Sequence, residues 1–166
     1  MASAMNEKKK VYVETTVVSD ATALPTNDLA SVGRQVTTRD WWKSAADRFD
    51  LYASPVVRRE AQRGDADAAR RRMDALQDIP DIPLTQEAVE LAQRLVEAKA
   101  VPNEYREDAM HIAIAAVAKI DYLVSWNFKH ITNAQMIPKI KAVCADNGYH
   151  CAEICTPAML SEGGEE

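Results

Sequence analysis

No stretch of this sequence approaches the run of about twenty apolar residues that a bilayer-spanning helix requires. The N-terminal "MASAMNEKKK" carries lysines but no apolar segment of secretory length behind them, so neither an anchor nor a leader is expected, and the expected compartment is the cytoplasm. Cysteine is equally sparse. Cys144, Cys151 and Cys155 are an odd set without a C-x-x-C pair. That argues against a disulfide framework and a thiolate zinc site, and they read as reduced core residues. Positive charge is not in excess either: 20 Lys and Arg stand against 25 Asp and Glu, a net charge of −5, with an isoelectric point near 5.3. This balance counts against a surface that binds nucleic acid all over by neutralising phosphates.

What is present suits a single domain spanning residues 1–166. The chain is 47% hydrophobic and 27% charged, long enough for one substantial core and too short for two. No repeat, linker or second domain stands out, and residues 1–9 and 161–166 are expected to be flexible tails. Basic residues gather at 8–10, 58–59 and 70–72, either as local patches or as solvated faces and strand edges.

Five β-rich segments read as strands: "VYVET" (11–15), "FDLYAS" (49–54), "IPDIPLT" (79–85, weakened by two prolines), "DYLVSW" (121–126) and "HCAEICT" (150–156). Helical patterns lie between them. Residues 29–49 place apolar side chains at 29, 32, 36, 41, 42, 45 and 49 despite Gly33. "PVVRREAQRG" opens on a proline and closes on Gly64, Asp65 caps "ADAARRRMDALQDI", and Thr85 caps "TQEAVELAQRLVEAKA". "REDAMHIAIAAVAKI" is apolar almost all round beyond Asp108 and predicts a buried helix, while "IPKIKAVCADNGY" starts at Pro138 and stops at Gly148. Strands alternating with helices, without hairpin turns, predict an α/β fold with a parallel sheet covered on both faces.

In an open α/β sheet, ligands bind beyond the carboxyl ends of the strands. Glu14 falls at such an end. Buried there alone it would shift its pKa or cost several kcal/mol, so a helix cap, an arginine or a ligand must compensate it. Glu60 lies on the i, i+3, i+4, i+7 stripe with Val57, Ala61 and Gly64, away from Arg58, Arg59, Gln62 and Arg63; it is either half of a core ion pair or a site residue. Asp108 opens the most apolar helix, as a charge favoured by the helix dipole or as a ligand. His111, one turn later, reads as a satisfied core histidine rather than a metal ligand. Ser125 and Asn127 stand at the carboxyl end of the 121–126 strand. Acids from three elements that reach one crevice suit Mg²⁺ or Mn²⁺, whose charge makes their repulsion tolerable.

The segments "YVETTVVS", "SPVVRREAQRGD", "EDAMHIAIAAVAKIDYLVSWNFKHI" and "ICTPAML" resemble PIN-domain proteins, in particular the VapC-type toxins of bacterial toxin–antitoxin pairs. The resemblance implies a three-layer α/β/α sandwich with a central parallel sheet and a metal-dependent endoribonuclease acting on RNA. It further implies Mg²⁺ or Mn²⁺ as cofactor, a cognate antitoxin protein as partner, and a homodimer. It puts Glu14, Glu60 and Asp108 at the three acidic positions, as catalytic residues and metal ligands, and Asn127 where a further acid is common. Ser125 and Thr15 would support them; Thr15 and Thr16 either orient Glu14 or a water, or pack in a turn or strand. Arg58, Arg59 and Lys129 fall near the crevice as RNA contacts, and His130 either faces RNA or packs.

Two departures stand out. Glu14 replaces a more usual Asp and lengthens the ligand arm by one methylene; Asn127 removes a charge, which weakens a second metal site more than the first. The implied chemistry is metal-assisted phosphodiester hydrolysis, with Asp108 or Glu60 accepting the proton of the attacking water. Two readings compete with it: a non-catalytic PIN-like module that binds RNA or protein through a degraded metal site, and a structural α/β protein whose acids are caps and ion pairs.

Overall fold

Val11, Tyr12 and Val13 are fully buried along β1 (Lys10–Val13), the continuous apolar run of a strand covered on both faces. The computed structural model that shows this describes residues 7–162; the expected tails lie mostly outside the described residues. β1 pairs in parallel with β2 (Asp50–Tyr52) on one side and β3 (Tyr122–Val124) on the other, and β4 (Glu153–Cys155) adds to β3. The sheet order is β2-β1-β3-β4. Val11 stands opposite both Leu51 and Tyr122, and Val13 opposite Val124. Chain connections leave β1 in one direction toward β2 and return to β3 on its other side, so the carboxyl ends of β1 and β3 form a topological switch point with a crevice above it.

The strand expected at 79–85 is reduced to one parallel bridge, Ala53 with Asp81. Pro80 still offers its carbonyl to Ala53 N (2.9 Å), and Ile82 N reaches Ala53 O (2.9 Å). Pro80 and Pro83 have no N–H to extend the ladder. The first strand also ends earlier than expected, at Val13 rather than Thr15, because the chain turns at Glu14 into a helix that the sequence reading did not anticipate, α1 (Thr15–Thr22). Its opening run of Thr15, Thr16, Val17 and Val18 is β-branched and a poor helix former, by a few tenths of a kcal/mol per residue. Val17 and Val18 are completely buried, and about 1.5 kcal/mol or more for each buried valine outweighs that deficit.

The remaining helices follow the expected pattern. α2 (Leu29–Arg48) is capped by Asp28, α3 (Pro55–Ala61) by Ser54, α4 (Ala66–Leu76) by Asp65 and α5 (Gln86–Glu97) by Thr85. α6 (Arg106–Val117) buries Ala109 and every residue from His111 to Ala116. α7 (Ile137–Asp146) ends before Gly148, whose φ of +84° a residue with a Cβ adopts only with strain. The apolar stripe expected along α2 holds only in its second half. Trp41 and Ala45 are buried, but Leu29 is 87% exposed and Val36 49%, since the first half turns Gln35 and Thr38 inward instead.

α5 packs against both α6 and α7 in one helical layer, and α1 packs against α2 in the other. With the four-stranded parallel sheet between them, the chain is a three-layer α/β/α sandwich. α3 touches both α1 and α6, which brings Glu60 between the layers. The three cysteines are free and buried, as expected. Among the described residues no helix is long and apolar enough to cross a membrane.

Arg58 is drawn into this framework. Its Nε donates to Asp81 Oδ1 at 2.7 Å, and its Nη2 donates to the carbonyls of Ile79 (2.6 Å) and Leu76 (3.1 Å). It therefore ties α3 to the proline-rich segment that follows α4. Arg58→Ala should cost about 2–3 kcal/mol in urea denaturation, because two carbonyls and a carboxylate lose a charged donor. Arg70→Ala, which removes an exposed pair with Asp67, should shift stability by less than about 0.5 kcal/mol.

Candidate metal centre

Glu14 sits where β1 becomes α1. Its backbone N–H still reaches across the sheet to Val124 O at 3.1 Å, while its side chain, only 3% exposed, caps α1 by accepting from Thr16 N at 3.2 Å. Two hydroxyls complete its surroundings: Thr16 Oγ1 (2.5 Å) and Ser125 Oγ (2.6 Å) both donate to Glu14 Oε1. The helix cap weighed for this acid is therefore present. An arginine is not, and the direct donors are all neutral. Burial pushes the Glu14 carboxyl above its ordinary range, against the opposing pull of His111, Ser125 and Thr16.

Glu60 is presented by α3, which starts at Pro55 after Ser54 Oγ accepts from Val57 N at 3.2 Å. That phase buries Val57 and Ala61 and leaves Glu60 half-buried at the crevice. Its Oε1 accepts from Thr15 Oγ1 and meets His111 Nε2, each at 2.6 Å. Burial alone would raise this carboxyl; the hydrogen bond and charge of His111, aided by Thr15, hold it well below the ordinary range instead.

His111 is completely buried on α6, and its Nδ1 lies 2.6 Å from Tyr12 Oη, which in turn lies 2.7 Å from Ser54 Oγ. Burial opposes its charge, but Glu60 and Glu14 prevail and raise its pKa. Donor atoms of Glu14, Glu60 and His111 lie within 4.8 Å of one another. Both ring nitrogens are engaged, as a satisfied core histidine requires, and His111 positions Glu60; its Nε2 is also one of the three donor atoms that lie close enough to share a metal ion.

Asp108, in the first turn of α6, is not part of that tight group but faces the same cleft. The cleft encloses about 420 Å³ and is lined by Glu14, Glu60 and Asp108 together with Thr15, Thr16 and Asn127. Asp108 Oδ2 is 2.9 Å from His130 Nδ1. Burial raises the Asp108 carboxyl, opposed by the Asn127 amide and by His111 and His130. Asn127 donates its backbone N–H to Ser125 Oγ (2.9 Å) and accepts from His130 N through Oδ1 (3.1 Å). Ser125 and Asn127, the first and third residues after β3, thus support Glu14 and Asp108 respectively.

Of the three basic residues picked as RNA contacts, Arg58 is occupied in the framework. Arg59 is exposed with its Nη2 3.6 Å from Glu107 Oε1, and Lys129 is exposed two residues after the cleft residue Asn127. Sequence reasoning missed Asp20 and Arg34, which pair at 3.3 Å and line the cleft along with Ser19 and Trp126. Once α1 is known to be helical, Thr16, Ser19 and Asp20 fall on one face by i, i+3, i+4 spacing; the signal was hidden by the strand-like composition. Larger hollows, about 650 Å³ beside Trp41 and Arg48 and 640 Å³ at the opposite end of the sheet beside Lys9 and Lys119, gather no comparable set of acids.

Comparison of the chain with protein-family models, with curated proteins and with solved structures gave no match. Carboxylate oxygens with one amide oxygen suit a hard divalent cation such as Mg²⁺ or Mn²⁺. A buried carboxylate among neutral donors, next to a second one, is the part of the set that a cation would stabilise most.

Two outcomes follow for the metal-free protein. Glu14→Gln should raise its stability at neutral pH by about 0.5–2 kcal/mol, because a costly buried charge is removed, and should erase any Mn²⁺-dependent rise in melting temperature. The Glu60–His111 pair sets a pH window. The raised His111 pKa gives stability that is complete below its ordinary 6.5 and lost as pH rises through the folded value. The lowered Glu60 pKa gives stability present above its ordinary 4.5 and lost as pH falls through the folded value. Thermal melts across pH should show the alkaline decline in the wild type and not in Glu60→Gln.

Proposed function

We propose that this chain is a divalent-metal-dependent endoribonuclease of the PIN type, acting in the cytoplasm as the toxin of a toxin–antitoxin pair. The observation that carries the reading is the convergence of Glu14 and Glu60, from separate elements, on a cleft that Asp108 also lines, with Glu14 buried among neutral donors. The motif resemblance supplies the substrate class, RNA. Glu14, Glu60 and Asp108 would hold Mg²⁺ or Mn²⁺, with Asn127 beside them. When bound, such an ion supplies Lewis acidity to a phosphodiester and its attacking water.

The chain's own residues do the rest. Ser125 and Thr16 fix the Glu14 carboxylate through one oxygen, Oε1, and His111 and Thr15 fix Glu60 the same way. Glu60 Oε2 faces the cleft without a hydrogen-bond partner among the described residues, while Glu14 Oε2 already accepts the long 3.2 Å cap bond from Thr16 N. Asp108 and Glu60 both line the cleft, and either carboxylate is placed to accept the proton of the attacking water. An antitoxin and a second copy of the chain are the partners that the same resemblance suggests.

The non-catalytic module remains a second reading, favoured by the hydrogen bond of Asp108 to His130, which occupies one of its oxygens. One set of measurements separates the two. With Mn²⁺ present, the wild type should cleave RNA and Asp108→Asn should lose about a hundredfold or more of that rate, with its melting temperature nearly unchanged. Cleavage by Asp108→Asn at the wild-type rate would remove Asp108 from the site. Absence of any Mn²⁺-dependent cleavage or thermal shift in the wild type would end the nuclease reading. Expression of the chain alone should slow cell growth, and Glu60→Gln should relieve the effect.

A further inference from the structure

Tyr105 and Phe128 are the only aromatic rings among the large hydrophobic side chains exposed on the described residues, at 48% and 51%. Neither lines the acidic cleft, but each packs on a ring at its edge, Tyr105 on His130, which contacts the cleft residue Asp108, and Phe128 on the cleft residue Trp126. Tyr105 precedes α6 by one residue, and its ring lies over His130 with centroids 4.0 Å apart at 32°. His130 is itself clamped, by Asp108 Oδ2 at its Nδ1 and by Asn127 Oδ1 at its backbone N–H. Phe128 meets Trp126 edge to face, with centroids 6.0 Å apart at 70°. Trp126 lines the cleft and is pinned by two bonds of 2.8 Å, from its Nε1 to Thr38 Oγ1 and from its backbone N–H to Thr16 Oγ1.

Each exposed ring is thus backed by an inner ring that hydrogen bonds tie to the cleft wall. An exposed ring held in this way keeps a flat apolar face ready at little ordering cost. The cleft poses a matching problem. It is acidic in a chain of net charge −5, so attraction of phosphates cannot supply much of the affinity for a polyanion. Stacking can, since every nucleobase has a π-face and the interaction does not depend on salt-screened charge. Lys129, exposed between Phe128 and His130, gives the same segment one cation for a phosphate.

We propose that Tyr105 and Phe128 form a pair of base-stacking subsites at the mouth of the cleft, which bind unpaired nucleobases next to the phosphate presented to the acids. The proposal rests on the ribonuclease reading for its ligand class. Duplexed bases have their faces covered and gain nothing from such rings, so the subsites select against paired RNA at the point of entry.

The test uses a fluorescently labelled RNA octamer of mixed sequence and the full chain. Binding is read by anisotropy in the cleavage-silent Glu60→Gln background with Mn²⁺, and turnover is read with Glu60 intact. Tyr105→Ala and Phe128→Ala should each weaken binding by about five- to a hundredfold, should raise KM by a similar factor with kcat nearly constant, and should do so equally at low and high salt. Tyr105→Phe and Phe128→Tyr, which keep the rings, should restore wild-type binding, and unfolding midpoints check that all four variants fold. Wild-type binding by both alanine variants, in a protein that cleaves, overturns the subsites and leaves the nuclease reading standing. Ring-dependent binding without cleavage sinks the nuclease reading and keeps the subsites. No binding of the octamer by any form overturns both.

Discussion

The architecture of the cleft depends on how one carboxylate is kept below the surface. Glu14 continues the sheet with its backbone, through Val124 O, and begins a helix with its side chain, through Thr16 N. Moving an ionised carboxylate out of water costs several kcal/mol, and hydrogen bonds to a charged acceptor return about 1.5–3 kcal/mol each. Three such donors, from Thr16 and Ser125, offset part of that cost, and burial still prevails over them. They also make it specific, because Ser125 arrives only if β3 pairs beside β1 in the observed register. Sheet order, strand end and helix start are therefore specified together at this point.

A second chain of contacts serves the other acid. Tyr12 reaches from β1 to Ser54 and to His111, Ser54 caps the helix that carries Glu60, and His111 grips Glu60 from α6. Burial keeps the Tyr12 phenol protonated, far above its ordinary range, so it stays a neutral link. β1, α3 and α6 are tied through polar groups in a core that is otherwise apolar, and partly broken networks of this kind are costly. The result is a rigid setting for Glu60, with the acids placed by elements rather than by mobile loops.

Much of the fold was legible because its signals are local. Caps at Asp65 and Thr85, the proline at the start of α3, the unbroken apolar run of α6 and the glycine after α7 all act within a turn of the residues they govern. Glu14 and Glu60 were conspicuous as acids where apolar residues belong. What stayed hidden needed tertiary information. α1 is a helix against the propensity of its own β-branched residues, so Asp20 could not be placed beside Glu14. The hydrogen-bond partner of His111, Tyr12, looks like any strand residue, and nothing in the sequence shows that Arg58 folds back onto carbonyls 18 and 21 residues away.

The failed fifth strand also has a use of its own. β2 is the outermost strand on its side of the sheet, and a bare edge is a template on which another chain can add by backbone pairing. The Ala53–Asp81 bridge lays the segment around Pro80 and Pro83 along that margin. Because proline presents no amide hydrogen, this border covers the end of β2 yet cannot itself seed the next strand. The same two residues that halt the sheet on the β2 side thus guard that edge against pairing with another chain, without a bulged edge strand for the purpose.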